Sequence, residues 1–131
     1  KFNYTGVDIN RAMIKSCKQK FPDQKHLFLV GKHPPFTVDF CVFSGTFNLC
    51  HTDDASLWND YMFANLQQCW KRSRCGLLLN LLCSSKAEIK EQIFYAERKK
   101  FIATASRIFG PTHARSTPNV SGDVTFLIIK K

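Results

Sequence analysis

The stretch "GLLLNLLC" at residues 76–83 constrains the fold more than any other part of the sequence. It is almost wholly apolar, but it is far shorter than the roughly 20 residues that a membrane-spanning helix needs. It is also too short for an independent helix, so the pattern predicts a central β-strand. A strand of such continuous apolar character is typical of a sheet that is covered on both faces.

Further strands and helices are predicted on both sides of this strand by apolar periodicity and by turn residues. The predicted strands are 2–8, 25–31, 38–45, 76–83, 113–118 and 123–131. The predicted helices are 10–21, 55–72 and a stretch from about 87 to 109, for which a break near Phe94 and Tyr95 stays open. Asp53 or Asp54 is expected to cap the second helix.

The order of these elements predicts an α/β fold. Apolar strands that alternate with helices indicate a mostly parallel, Rossmann-like sheet with helices on both faces. No helix separates the last two strands, so they should form a C-terminal antiparallel hairpin at one edge. A length of 131 residues fits a single domain over 1–131.

The six cysteines lack the paired spacing of a zinc site, and we expect no metal. Cys41 and Cys83 lie in apolar strands and Cys69 lies on the apolar stripe of a helix, which favours reduced thiols that are buried or half-buried. Reduced thiols indicate the cytoplasm. We expect no membrane association, since the chain has neither a spanning segment nor a signal-peptide pattern.

The formal net charge of +9 allows an anionic partner, including RNA. The alternative is a surface that only keeps the protein in solution, because the basic residues are dispersed and one short cluster falls at a helix end.

Asp8 ends the first predicted strand, and a helix follows at once. Ligands of open α/β sheets bind beyond the carboxyl ends of the strands, where a carboxylate can accept two hydrogen bonds from a ribose diol. The alternative is that Asp8 caps the helix that opens at Asn10. The residue alone does not decide between the two.

The motifs "YTGVDINRAMIKSCKQKFP", "HLFLVG" and "VDFCVFSGTFNL" together resemble the class I methyltransferases that use S-adenosylmethionine. The closing segments "HARSTP" and "TFLIIKK" resemble the last two strands of that family. The resemblance implies that Asp8 holds the ribose hydroxyls and that Ile9 lies against the adenine. It implies that "DFCVFSGTFN" borders the methionine part of the cofactor.

On this resemblance Ser44, Gly45 and Thr46 would flank the methionine moiety, and Phe47 and Asn48 would face cofactor or substrate. Asn48 would orient the methyl acceptor. The alternative for "SGTFN" is a strand-to-helix turn with Phe47 buried.

A general base would come from His33, His51 or Asp53, which lie in loops at the expected ligand end of the sheet. We therefore take His33, His51 and Asn48 as the catalytic candidates. A loop histidine that is merely solvated is the alternative.

Two features depart from the family pattern. The glycine-rich loop and the strand before it, which the family places upstream of the ribose acid, are missing, so we expect a chain truncated at its N terminus or completed by a partner segment. Lys32 stands where the family commonly has an acid that binds the adenine amino group, and a lysine cannot accept that bond.

The sequence thus predicts an S-adenosylmethionine-dependent methyltransferase that acts on a small-molecule substrate. The alternative is a non-catalytic domain of this type that serves in assembly or RNA binding.

Overall fold

A computed structural model describes residues 2–131. These residues form two compact units, unit 1 up to Thr37 and unit 2 over Val38–Lys131. None of the helices within 2–131 is long and apolar enough to cross a membrane.

Unit 1 is a β-α-β arrangement with a short additional helix. Its elements are β1 (Gly6–Asp8), α1 (Arg11–Lys20), a 3-10 helix (Pro22–Leu27) and β2 (Phe28–Val30). The two strands are parallel, and Asp8 pairs with Val30 at their carboxyl ends. The first half of the predicted strand at 25–31 is wrong, because Pro22 begins a helical turn there.

The sequence determines α1 locally. Asn10 caps the helix, because its side-chain oxygen accepts hydrogen bonds from the N–H groups of Ala12 and Met13. Ile14 is buried and provides the inner face. Phe28 of β2 is buried as well, and its ring stacks on that of Phe21 with centroids 6.0 Å apart.

Unit 2 contains six strands and two helices. They are β3 (Val38–Phe43), α2 (Ala55–Arg72), β4 (Ser73–Ser84), β5 (Glu88–Lys90), β6 (Ile93–Glu97), α3 (Arg98–Ile108), β7 (Thr112–Ser116) and β8 (Asp123–Ile129). The predicted bounds of α2 are confirmed, and Asp54 caps it by accepting a hydrogen bond from the N–H of Leu57 at 3.0 Å.

The long strand β4 is the centre of the sheet in unit 2. It pairs in parallel with β3 and β6 and antiparallel with β8. The pairs β5–β6 and β7–β8 are antiparallel too. The expected antiparallel pairing of the last two strands is therefore found.

The predicted mostly parallel Rossmann-like sheet is nevertheless wrong. Three of the five strand pairings in unit 2 are antiparallel, and β1 and β2 form a separate two-stranded sheet. Apolar periodicity identified six of the eight strands, but it carries no information about which strand becomes the neighbour of which, or in what direction.

Both helices of unit 2 pack on the same face of its sheet. The thiol of Cys41 in β3 donates a hydrogen bond to the backbone carbonyl of Cys69 in α2. The ring centroids of Phe101 in α3 and Phe126 in β8 are 4.5 Å apart. Cys41 pairs with Leu77 and Phe126 pairs with Leu79. Because Leu77 and Leu79 are two residues apart in β4, all these side chains share one face.

The opposite face of the sheet is open to solvent. Val42 is 66% exposed, Phe40 47% and Ile129 37%, while Leu78 and Leu127 are half-buried. The expectation of helices on both faces is therefore wrong. The nearly continuous apolar sequence of β4 suggested burial on both sides, but in the structure Leu77, Leu79 and Leu81 are fully buried while Leu78 and Leu82 between and after them are half-buried.

A hairpin replaces the first part of the predicted helical stretch, of which α3 is only the second part. Glu91 and Gln92 connect β5 to β6 with φ angles of 49° and 64°. The backbone oxygen of Gln92 accepts a hydrogen bond from the N–H of Cys50, and the N–H of Phe94 donates to the backbone oxygen of Asn48. Contacts distant in sequence therefore hold this segment as strands.

All six cysteines are free thiols. Their expected burial is confirmed: Cys41, Cys50 and Cys69 are buried, and Cys17, Cys75 and Cys83 are half-buried. Burial raises the pKa of the Cys83 thiol to about 11, so this thiol stays protonated at neutral pH.

Candidate functional site

Asp8 lies at the carboxyl end of β1 with an exposed side chain. Its Oδ1 accepts a hydrogen bond from the N–H of Asn10 at 2.7 Å, which shapes the turn into α1. Asn10, not Asp8, is the capping residue itself. A carboxylate has about four acceptor positions, and among the described residues only this one bond uses any of them. Asp8 can therefore accept further hydrogen bonds from a ligand.

Ile9 follows Asp8 and is 60% exposed. An exposed isoleucine beside a carboxylate offers an apolar surface to the flat face of a ring. Lys32 is exposed in the loop after β2, where it can only donate hydrogen bonds. The N–H of Gly31 donates to the backbone oxygen of Asp8 at 3.0 Å and so links the ends of the two strands.

The turn after β3 in unit 2 contains the other predicted cofactor residues. Ser44 and Thr46 are exposed, and Gly45 between them has a φ of +66°. A Cβ on Gly45 would meet only the Asn48 amide, at an ordinary contact distance of 3.6 Å. The glycine is thus required by its backbone conformation and not by lack of space.

Phe47 and Asn48 have structural contacts in this turn. The Phe47 side chain is only 4% exposed, and its ring lies 5.4 Å from that of Phe43, so the alternative of a buried turn residue holds for this side chain. The Asn48 side-chain oxygen accepts a hydrogen bond from the N–H of Leu82 at 3.3 Å. The Phe47 backbone oxygen accepts one from the indole N–H of Trp58 at 2.9 Å. Asn48 therefore ties the turn to β4.

The candidates for a general base lie apart in the chain. His33 is half-buried in unit 1, and its Nδ1 lies 3.3 Å from the backbone oxygen of Pro34. His51 and Asp53 are exposed in unit 2 between β3 and α2. Within residues 2–131 no carboxylate forms an ion pair with either histidine.

Unit 1 thus brings Asp8 next to Ile9, and unit 2 brings Ser44 next to Gly45, Thr46 and the two residues after them.

A feature that sequence reasoning missed is a shallow groove of about 430 Å³ in unit 1. It is lined by Arg11, Ile14, Lys15, Lys18, Gln19 and Val30. Asp8 is not among these residues. The only sequence signal for the groove was the spacing of three cations along one face of α1.

No protein-family model matches the chain. A search of curated proteins finds no match either.

Proposed function

We propose that the protein transfers a methyl group from S-adenosylmethionine to a small-molecule acceptor. The observation that carries the proposal is the exposed carboxylate of Asp8 at the carboxyl end of β1, with acceptor positions left for a ribose diol. The proposal rests on this site and not on the fold, since one sheet architecture serves many functions.

The residues of unit 1 fit part of this cofactor. Asp8 would accept hydrogen bonds from the two ribose hydroxyls, and the exposed Ile9 would pack against the adenine ring. Lys32 offers no acceptor to the adenine amino group, so backbone carbonyls would have to accept that bond. The fit is therefore better for the sugar and the ring face than for the amino group.

S-adenosylmethionine supplies the activated methyl carbon when bound, and the protein would mainly bind, orient and exclude water. The exposed hydroxyls of Ser44 and Thr46 are the groups of unit 2 that can contact a ligand at the turn. Asn48 would act as a positioning residue that holds this turn on β4. His33 and His51 stay candidates for the general base.

The proposal is tested by isothermal titration calorimetry of the chain with S-adenosylhomocysteine, which has the same ribose. Asp8→Asn retains an oxygen that can accept the N–H of Asn10, so the turn should persist, but it removes the charge and one acceptor. We expect affinity to fall by about 10- to 150-fold, because a hydrogen bond to a charged group contributes roughly 1.5–3 kcal/mol.

Asp23→Asn is the matched control, since Asp23 is another exposed acid of unit 1. It should leave the affinity unchanged. If the unaltered chain releases no heat with the nucleoside, the proposal fails and the non-catalytic alternative is favoured. If Asp8→Asn and Asp23→Asn bind equally well, the role of Asp8 in holding the ribose is refuted.

A further inference from the structure

The cations of the groove in unit 1 have no partners within the described residues. Arg11, Lys15 and Lys18 lie on successive turns of α1, and all three side chains are exposed. The helix contains no acid, and none of its cations takes part in an ion pair of the described chain. The positive charge along this side of the groove is therefore uncompensated.

Helix stability accounts for only part of this charge. Lys18 lies in the last turn of α1, where a cation is favourable. Arg11, however, is the first residue of the helix, where the backbone N–H groups favour anions, and the first turn itself contains no acid. The helix dipole therefore does not explain the cation at Arg11, and its guanidinium stays available to an anion from outside the chain.

The charge is also concentrated in unit 1. Residues 2–37 contain six Lys or Arg and two Asp, which gives +4 over 36 residues, whereas 38–131 contain twelve Lys or Arg and eight acids, which gives the same +4 over 94 residues. The charge density of unit 1 is thus more than twice that of unit 2.

We infer that this groove binds a single strand of nucleic acid. The three cations would contact successive phosphates, since they are spaced four and three residues apart and so lie about 6 and 4.5 Å apart along the helix axis. Val30, which is 48% exposed, provides an apolar surface for a sugar or an unstacked base beside the buried side chain of Ile14. The Gln19 amide, which both donates and accepts, can contact a base edge or a 2′-hydroxyl.

The inference is independent of the methyl-transfer proposal, because none of the groove residues has a role there. The test is fluorescence anisotropy of the chain with a labelled uridine oligonucleotide of about twelve nucleotides, within the site sizes that small modules cover. Three phosphate contacts predict a slope of about −2 for log affinity against log salt, at about 0.7 per contact for single strands.

The decisive variant is the triple substitution Arg11→Gln, Lys15→Gln and Lys18→Gln. Glutamine is a good helix former, so α1 should persist, and circular dichroism checks this. We expect the slope of log affinity against log salt to fall close to zero. The affinity at 0.15 M salt should fall about 50-fold, which is what a slope of about −2 adds to the affinity between about 1 M and 0.15 M salt. Lys15→Gln alone should reduce the slope by about 0.7.

The matched control replaces Lys86, Lys99 and Lys100 by glutamine. These lysines are exposed in unit 2, so their replacement removes the same amount of charge away from the groove. Equal loss of affinity in both triple variants would overturn the inference, since binding would then depend on net charge alone. Binding to vesicles of anionic lipid, without binding to the oligonucleotide, would overturn it too. A matching deoxyribonucleotide strand that binds as well supports the inference and shows that the 2′-hydroxyl is not read.

Discussion

Two neighbouring leucines of β4 provide a direct test of the finding that helices cover only one face of the sheet in unit 2. Leu79 is fully buried on the face that both helices cover, whereas Leu78 is half-buried on the face that includes the exposed Val42. Both leucines lie in the middle of the same strand and pair with β3 and β8. Truncation to alanine at each position therefore compares the two faces with little other difference.

The expected costs differ by several kcal/mol. Leu79→Ala removes buried methyl groups and leaves a cavity between the sheet and the helices, so it should lower the free energy of unfolding by about 3–5 kcal/mol. Leu78→Ala loses only part of the transfer free energy of a leucine and leaves no closed cavity, because solvent reaches that face. Its cost should be about 1 kcal/mol.

Urea denaturation followed by tryptophan fluorescence measures both costs. The two tryptophans, Trp58 and Trp70, lie in α2, so the signal reports the unfolding of unit 2. The dependence of the free energy on urea should stay the same in both variants, since a change would indicate a different folded or unfolded state. If Leu78→Ala lowers the free energy of unfolding as much as Leu79→Ala does, the face that includes Leu78 is covered. The description of a sheet with helices on one face and solvent on the other is then refuted.

Two further predictions concern local features of unit 2. Changing Glu91 and Gln92 to Asn and Gly should stabilise the fold by about 1 kcal/mol, measured by urea denaturation. Both residues have positive φ angles that cost a side-chain-bearing residue roughly 1–2 kcal/mol each, and the greater freedom of Gly in the unfolded chain and the remaining side chain of Asn offset part of that gain. A less stable variant would contradict the hairpin. Hydrogen bonds from Thr117 and then from Asn80 lower the pKa of Asp123 below its usual 3.8. The stabilising contribution of the Asp123 carboxylate should therefore be present above about pH 4 and lost as the pH falls below it. Thermal unfolding measured against pH should show this loss in the unaltered protein and a smaller loss in Asp123→Asn.

Much of the local structure follows from the sequence. Helix α2 was predicted with its bounds because an apolar stripe, a capping aspartate and basic residues at its end all act within a few residues of one another. The strands β3, β4 and β8 were recognised from apolar and β-branched residues, although their ends differ by a few residues. The position of Asp8 at a strand end was likewise a local inference.

Of the candidate site, the sequence indicated the position of Asp8 and the glycine turn at Gly45, but not the role of Asn48. The partners of Asn48 are Leu82, which is 34 residues away in sequence, and Phe94, which is further still. A hydrogen bond of that span cannot be inferred from residue type. The structure therefore shows Asn48 as an anchor between strands, while its contact with a ligand stays a prediction.

What the sequence determined by itself is the set of segments with a strong local preference, above all α1, α2 and the apolar strands. Only the tertiary structure decided that Glu88–Glu97 would be strands, because a turn at Glu91 and Gln92 lacks the usual glycine or asparagine and depends on bonds to residues 48–50. It also decided the antiparallel pairing of β4 with β8 and the single face covered by helices. Strand direction and burial depend on which elements pack together, and that is a property of the folded chain and not of any one segment.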